Sequence, residues 1–319
     1  MSRDSVIDSM GRIDDAMIEQ VEKLRQKPRK KRIRMRWVAV AACLAVLVVS
    51  AEASSGLVSN LLAPLYGGVQ TELVDNIGVP IGASATVAGY TLTADAIIGD
   101  RYNFAIVYTL CREDGQPMPE GVSFAEHDIS VMRGPGGGSG EYRRSEDGLK
   151  YYIIEQWTSG YSVLFRGNAK VVFTDLICYN DGTEEILAEG TWELNFAVRY
   201  KDTTVKLPID EFEVVGSNGY QYQIHKIQIS PIGLYIELTS PVGESGTDFF
   251  ERPMRDFNVS LILSDDSRID LVNAAYGESA VLGADTCEVN YGVMFEQPIP
   301  LDTIKTLIIC DTTVDIDLG

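Results

Sequence analysis

"YTLTADAIIGDRYNFAIVYTL", residues 90–110, and "YQYQIHKIQISPIGLYIELTS", residues 220–240, decide how this chain folds. Each reads as a strand, a short break and a second strand. They lie about 130 residues apart, and each is followed much later by a lysine that opens an apolar strand: "KVVFTDLICY" from Lys170 and "KTLIICDTTV" from Lys305. A repeat of this kind implies two similar β domains in tandem, with the boundary near Tyr200 to Leu207.

The flanking sequence has the same period. Trp192, Leu194, Phe196 and Val198 alternate with mostly polar neighbours, as do Phe257, Val259, Leu261 and Leu263. Glu113-Asp114-Gly115, Asn180-Asp181-Gly182 and Ser217-Asn218-Gly219 supply turns at short spacing, and no long helical pattern follows residue 62. The expected fold is mainly β, two tandem antiparallel β-sandwich domains over 63–203 and 204–319.

The N-terminal part has a different character. The first 36 residues carry 11 Lys and Arg against 6 Asp and Glu, whereas the remainder carries 16 against 40. The sign changes at "KPRKKRIRMRWVAVAACLAVLVVS", residues 27–50, where a basic block precedes 15 uncharged residues from Trp37 to Ala51. At 1.5 Å per residue that run is about 22 Å long, short of a hydrocarbon layer of about 30 Å. Ile33 and Met35 lengthen it by a turn, because the stems of Arg34 and Arg36 snorkel. Beyond Glu52, the apolar stretch Ala53 to Leu62 lets a tilted span continue. We read 37–62 as a transmembrane signal anchor with its juxtamembrane segment. The basic side stays in the cytoplasm and the acidic portion lies outside. Cleavage after Ala53, where small residues flank Glu52, is the alternative. Cys43 sits in the middle of the apolar run, with too little hydrophobic sequence before it for a lipoprotein box, and reads as a membrane-buried Cys.

Residues 1–36 form a cytoplasmic arm. Val6, Met10, Ile13, Met17, Val21 and Leu24 recur at steps of three and four and share one helical face. Ser5 and Asp8 resemble a capping box, and Pro28 marks the stop. Six such side chains, at roughly 1.5–3 kcal/mol each, represent on the order of 10 kcal/mol of burial that a lone helix cannot realise. The stripe therefore calls for a partner. Asp4, Asp8, Asp14, Asp15, Glu19 and Glu22 on the polar face would be repelled by anionic headgroups, which favours a protein over the membrane surface.

Little in the exported portion points to catalysis. His127 and His225 are the only histidines, too few for a multi-His metal site, and no Gly-x-Ser-x-Gly or Ser-x-x-Lys occurs. Asp265, Asp266 and Asp270 cluster without the spacing of a calcium loop and read as turn acids. "RGPGGGSGEYRRSEDG", from Arg133, lacks the Gly-Lys-Ser/Thr of a phosphate loop and reads as a mobile loop between strands. Cys111, Cys178, Cys287 and Cys310 are too widely spaced for a zinc site; one disulfide per domain and buried thiols both remain open. The acidic charge disfavours nucleic acid, no cofactor or metal is expected, and the chain is read as a non-enzyme.

The arm "IDDAMIEQVEKLR", the run "RWVAVAACLAVLVV", and the stretches "AGYTLTADAIIGDRYNFAIVYTL" and "EGTWELNFAV" together resemble a family of single-pass envelope proteins of Gram-positive bacteria, the domain of unknown function 4179 family, often followed by an immunoglobulin-like domain. Members of that family look like anti-sigma factors, being commonly encoded beside sigma factors of the extracytoplasmic-function type. The resemblance implies that the arm holds a sigma factor while immunoglobulin-like domains outside sense the envelope. Zinc-type anti-sigma arms carry a His and paired Cys; this arm has neither, so no contact residue carries over. The competing class is a surface adhesion or ligand-binding β-sandwich with no sigma-factor role.

Overall fold

The computed structural model describes residues 56–69, 71–129, 136–159, 166–180, 182–217, 219–241, 257–271 and 286–316. Among the described residues three short helices come first: α1 (Leu57–Leu61), α2 (Ala63–Tyr66) and α3 (Thr71–Ile77). The first sandwich follows, with β1 (Val79–Val87), β2 (Tyr90–Gly99), β3 (Asn103–Arg112), β4 (Val122–Ile129), β5 (Gly136–Arg144), β6 (Lys150–Ser159), β7 (Arg166–Asn180) and β8 (Thr183–Arg199). The second holds β9 (Val205–Lys206), β10 (Phe212–Val215), β11 (Gln221–Ser230), β12 (Gly233–Pro241), β13 (Val259–Leu263), β14 (Arg268–Asp270), β15 (Thr286–Met294), β16 (Ile304–Ile309) and β17 (Thr312–Asp315). Every recorded pairing is antiparallel. The mainly β expectation therefore holds.

In the first sandwich one sheet runs β1-β2-β3-β6-β5 and the facing sheet runs β4-β7-β8. The alternating residues of β2, β3, β7 and β8 meet between them: Leu92, Ile106, Tyr108, Phe173, Trp192 and Leu194 are all buried. Trp192 sits at the centre, its ring edge-on to Phe124 at 5.1 Å and its indole N–H donating to the Tyr90 carbonyl at 2.9 Å. In the second sandwich the sheets are β10-β11-β12-β15, with β9 also on β11, and β14-β13-β16-β17. Tyr222, Phe257 and Tyr291 form an edge-to-face series in its core, with centroids 5.1 and 5.2 Å apart. Tyr200 belongs to the first core and Leu207 to the second.

The repeat read from sequence has a topological counterpart. With β9 and β10 together counted as a first strand, both halves place strands 1-2-3-6 in one sheet and 4-7-8 in the other. Only the fifth strand differs: β5 extends the first sheet by pairing with β6, whereas β14 pairs with β13 in the second sheet. This order departs from the expected immunoglobulin-like one. There the second strand lies between the first and fifth; here β2 and β11 each lie between the first and third. The sandwich is shared, the connectivity is not. The equivalence extends to single residues. β2 breaks register at Asp95 and β11 at His225, and each bulged side chain bonds a threonine hydroxyl on the next strand, Thr109 at 2.5 Å and Thr239 at 2.7 Å.

The two hairpin turns meet, and equivalent residues meet each other. Ser230 donates to the Asp100 carboxylate at 2.5 Å, and a Cβ on Gly233 would come within 2.4 Å of the Asn103 amide nitrogen. Both pairs are separated by the same interval as the repeat. Tyr102 reaches Gln228 and stacks on Tyr235 at 3.9 Å, while its counterpart Ile232 lies in the apolar cluster of Ile98 and Ala105, the counterparts of those two. Self-complementary contact of this kind is the mark of a two-fold axis. The sandwiches are thus joined as a fused pseudo-dimer. Asp100 is fully enclosed, accepting from the Tyr102 and Asn103 amides, the Asn103 side chain and Ser230. Burial raises its pKa and those donors oppose the rise.

The helices cover part of the outer face of the first sheet. Val58, Leu62, Tyr66, Val74 and Ile77 pack with Ile98, Val107 and Ile154. Residues 57–62, which the hydropathy pattern attaches to the anchor, thus carry apolar side chains used in a protein interior. Asp75 holds this cap together by accepting the Ser59 amide at 2.7 Å and the Gly56 amide. Asp75→Ala should loosen the cap by about 1 kcal/mol, read as faster amide exchange at Ser59 and Asn60 with the sandwich cores unchanged. Among the described residues no helix is long and apolar enough to cross a membrane.

Candidate functional site

A groove of about 950 Å³ opens on the outer face of the first sheet where the helical cap ends. Its floor is a cross-strand row: Thr93 on β2 faces Thr109 on β3, which faces Tyr152 on β6, which faces Arg143 on β5. Asn60, Leu61, Ala63 and Pro64 form one wall, and Ser145, Glu146 and Asp147, in the turn between β5 and β6, line the other. Arg143 ties the floor to the first wall by donating to the Pro64 carbonyl, and it also donates to Glu141 on its own strand.

Asp95 is the distinctive group here. It continues the outward phase of Thr93, and as the extra residue of the β2 bulge it has no partner directly across on β3, so its side chain lines the groove. Burial pushes its pKa up to about 6, against the lowering effects of the Thr109 hydroxyl and the nearby Lys150 ammonium. Thr109→Val should move the Asp95 titration higher still, which carboxyl-detected NMR would register. The floor thus offers a hydrogen-bonding carboxyl group, two threonine hydroxyls, a tyrosine and a lysine, a set suited to a polar ligand.

A second cavity, about 570 Å³, lies in the second sandwich among Leu263, Ile269, Phe295 and Ile299, with Asp265, Asp270 and Glu296 also lining it. A pocket of about 170 Å³ sits beside it, bounded by Gly137, Gly138 and Gln156 from the first sandwich and Met294 and Phe295 from the second.

The arm residues Val6, Met10, Ile13, Met17, Val21 and Leu24 lie outside the described residues, as does the anchor run 37–51. Asp265, Asp266 and Asp270 occupy the β13–β14 hairpin and are satisfied locally, by the Ser267 amide, Lys305 and Arg268 respectively. The histidines are far apart in role: His127 meets Glu155, and His225 meets Glu211 and Thr239. None of Cys111, Cys178, Cys287 and Cys310 is in a disulfide; Cys178 and Cys287 lie within the cores, and Cys111 and Cys310 are partly exposed. Among the described residues no three His, Cys, Asp or Glu side chains gather as a metal site.

The reading of the glycine stretch requires correction. Residues 136–144 are not a loop but the edge strand β5, paired along its length with β6. Glycine is needed there: a Cβ on Gly138 would lie 2.5 Å from the Trp157 ring. Gly138→Val should displace that ring and shift its fluorescence toward the solvent-exposed range. Sequence reasoning also missed Asp95, Asp100 and Glu155, which the fold buries or half-buries.

No family model matches the chain, and no curated protein matches it. Among solved structures, the crystal structure of the conserved domain protein from Bacillus anthracis is similar at 15% identity and a TM-score of 0.47, over 73% of this chain and 76% of that one.

Proposed function

We propose that this protein is a membrane-anchored regulator resembling an anti-sigma factor. Its cytoplasmic arm, residues 1–36, binds a sigma factor of the extracytoplasmic-function type through Val6, Met10, Ile13, Met17, Val21 and Leu24. The signal anchor that begins at Trp37 crosses the membrane once, and the two sandwiches receive a signal in the envelope. The observation that carries this reading is the pairing of an amphipathic stripe that calls for a partner, followed by a basic block, with a large acidic β portion beyond an uncharged run. The fused domain interface supports it, because binding to a body locked at Asp100 and Tyr102 is felt by both sandwiches together. Release of the arm, through proteolysis or a change in the anchor, is the step that would free the sigma factor.

Deleting residues 2–26 from the chromosomal copy tests this. The reading expects derepression of one sigma-dependent gene set; an unchanged transcriptome sinks it. The groove beside Asp95 favours the second reading, a surface adhesion or ligand-binding protein, and that reading expects the deletion to leave transcription untouched.

A further inference from the structure

Glu155 has no structural reason to be where it is. It lies on β6 with its side chain between the two sheets of the first sandwich, 4% exposed, in phase with the core residues Tyr151 and Ile153. Only one of its oxygens is engaged: Oε1 is 3.3 Å from Nε2 of His127, on β4 of the facing sheet. The other, Oε2, is buried without a hydrogen bond of normal geometry, and so is the Tyr108 hydroxyl from β3, although the hydroxyl lies near enough to the carboxyl group to favour its charged form. An unsatisfied buried oxygen costs about 1–3 kcal/mol, and two in one core are expensive to keep.

The surroundings are built for proton exchange rather than for permanent charge. His127 is 47% exposed and stacks on Phe173, so it bridges the buried carboxyl group and solvent. Directly opposite Glu155 on the other side, the edge strand β5 supplies Gly140, where a Cβ would meet nothing within 4 Å. The titratable groups facing Glu155 are therefore Tyr108 from β3, Tyr142 from β5 and His127 from β4; Tyr142 is engaged with Ser123. None is a permanent cation. β4 and β5 are also the edges of their sheets on this side.

We propose that Glu155, His127 and Tyr108 form a proton-operated latch across the open side of the first sandwich. While Glu155 holds its proton, the carboxyl group is neutral and the two edges stay closed. When Glu155 loses that proton to water, a bare carboxylate is left between the sheets. The β4–β5 side then opens to hydrate it. Burial raises the Glu155 pKa to about 7 and the Tyr108 hydroxyl tempers the rise, so the transition falls near neutral pH. The sign follows from linkage. A folded-state pKa above the unfolded value means stability that is complete below the unfolded value and lost as pH rises through about 7. The latch is closed in acid and opens in alkali. It stands on the geometry of the first sandwich alone, so its failure leaves the sigma-factor reading untouched, and the reverse.

Amide hydrogen exchange on the full-length chain between pH 5.5 and 8.5, corrected for the intrinsic pH dependence of exchange, tests the latch. Protection in β4, β5 and β6 should fall on the order of tenfold across this range, while β11, β12 and β15 stay constant. Glu155→Gln should abolish the fall. Tyr108→Phe removes a hydroxyl that favours the carboxylate and should shift the midpoint upward, a result that a purely structural role does not give. Uniform protection in the wild type, a fall that persists in Glu155→Gln, or an unmoved midpoint in Tyr108→Phe each overturns the proposal.

Discussion

Asp100→Ala is expected to destabilise the protein by about 3 kcal/mol, because it strands the Ser230 hydroxyl, the Asn103 side-chain amide and two backbone N–H groups inside the domain interface. Denaturant unfolding followed by tyrosine fluorescence would report it, since Tyr102 and Tyr235 stack beside the site. The pseudo-two-fold axis makes a sharper prediction. Ser230→Asp alone sets a second carboxyl group against Asp100 and should cost stability increasingly as pH rises. Combining it with Asp100→Ser returns one carboxyl and one hydroxyl to the axis in exchanged positions. The Asp at 230 then has the Ile232 amide, which already donates to the Ser230 oxygen, as its local cap. The double variant should recover most of what the single variants lose. Simple additivity of the two losses would mean that the turns are not equivalent.

Trp192→Ala should cost about 3–5 kcal/mol, at the upper end for a core truncation. The indole is completely buried, touches Phe124 and donates to the Tyr90 carbonyl, so its removal opens a cavity and also orphans an acceptor on β2. Trp192→Phe, which loses the hydrogen bond and part of the volume, should cost less than half of that. Thermal unfolding compared at fixed pH would separate the two. Equal losses in both variants would show that the hydrogen bond rather than packing dominates.

What could be read from the sequence follows from side-chain alternation. The long strands β2, β3, β8 and β11 announce themselves because every second residue enters a core, and the tandem repeat shows because those strands hold its best-matched segment. β5 was illegible for the opposite reason: glycine has no side chain to alternate, and its strand is specified by β6 and by the room Trp157 needs. The helices of the cap are too short to show a period. Asp100 sits in a hairpin break, where an aspartate looks like a solvated turn residue; its burial is created by the second sandwich, far away in sequence. Glu155, by contrast, left a signal. In "KYYIIEQWTS" it occupies the same phase as Tyr151, Ile153 and Trp157, so strict period-two reading places a carboxylate on the core face. Asp95 left none, because alternation places it beside Thr93 on the outer face, where an aspartate looks solvated, and its burial comes from the walls of the groove.

The central functional claim concerns the arm. Affinity purification of the full-length chain from its own cells, followed by identification of co-purifying sigma factors, tests it most directly. A Met10→Asp, Met17→Asp double variant serves as the control, because two carboxylates on the apolar stripe abolish its burial while leaving the β sandwiches intact. The account predicts a sigma factor with the wild type and none with the variant. Absence of any sigma factor from the wild type, or equal recovery with both, would contradict it.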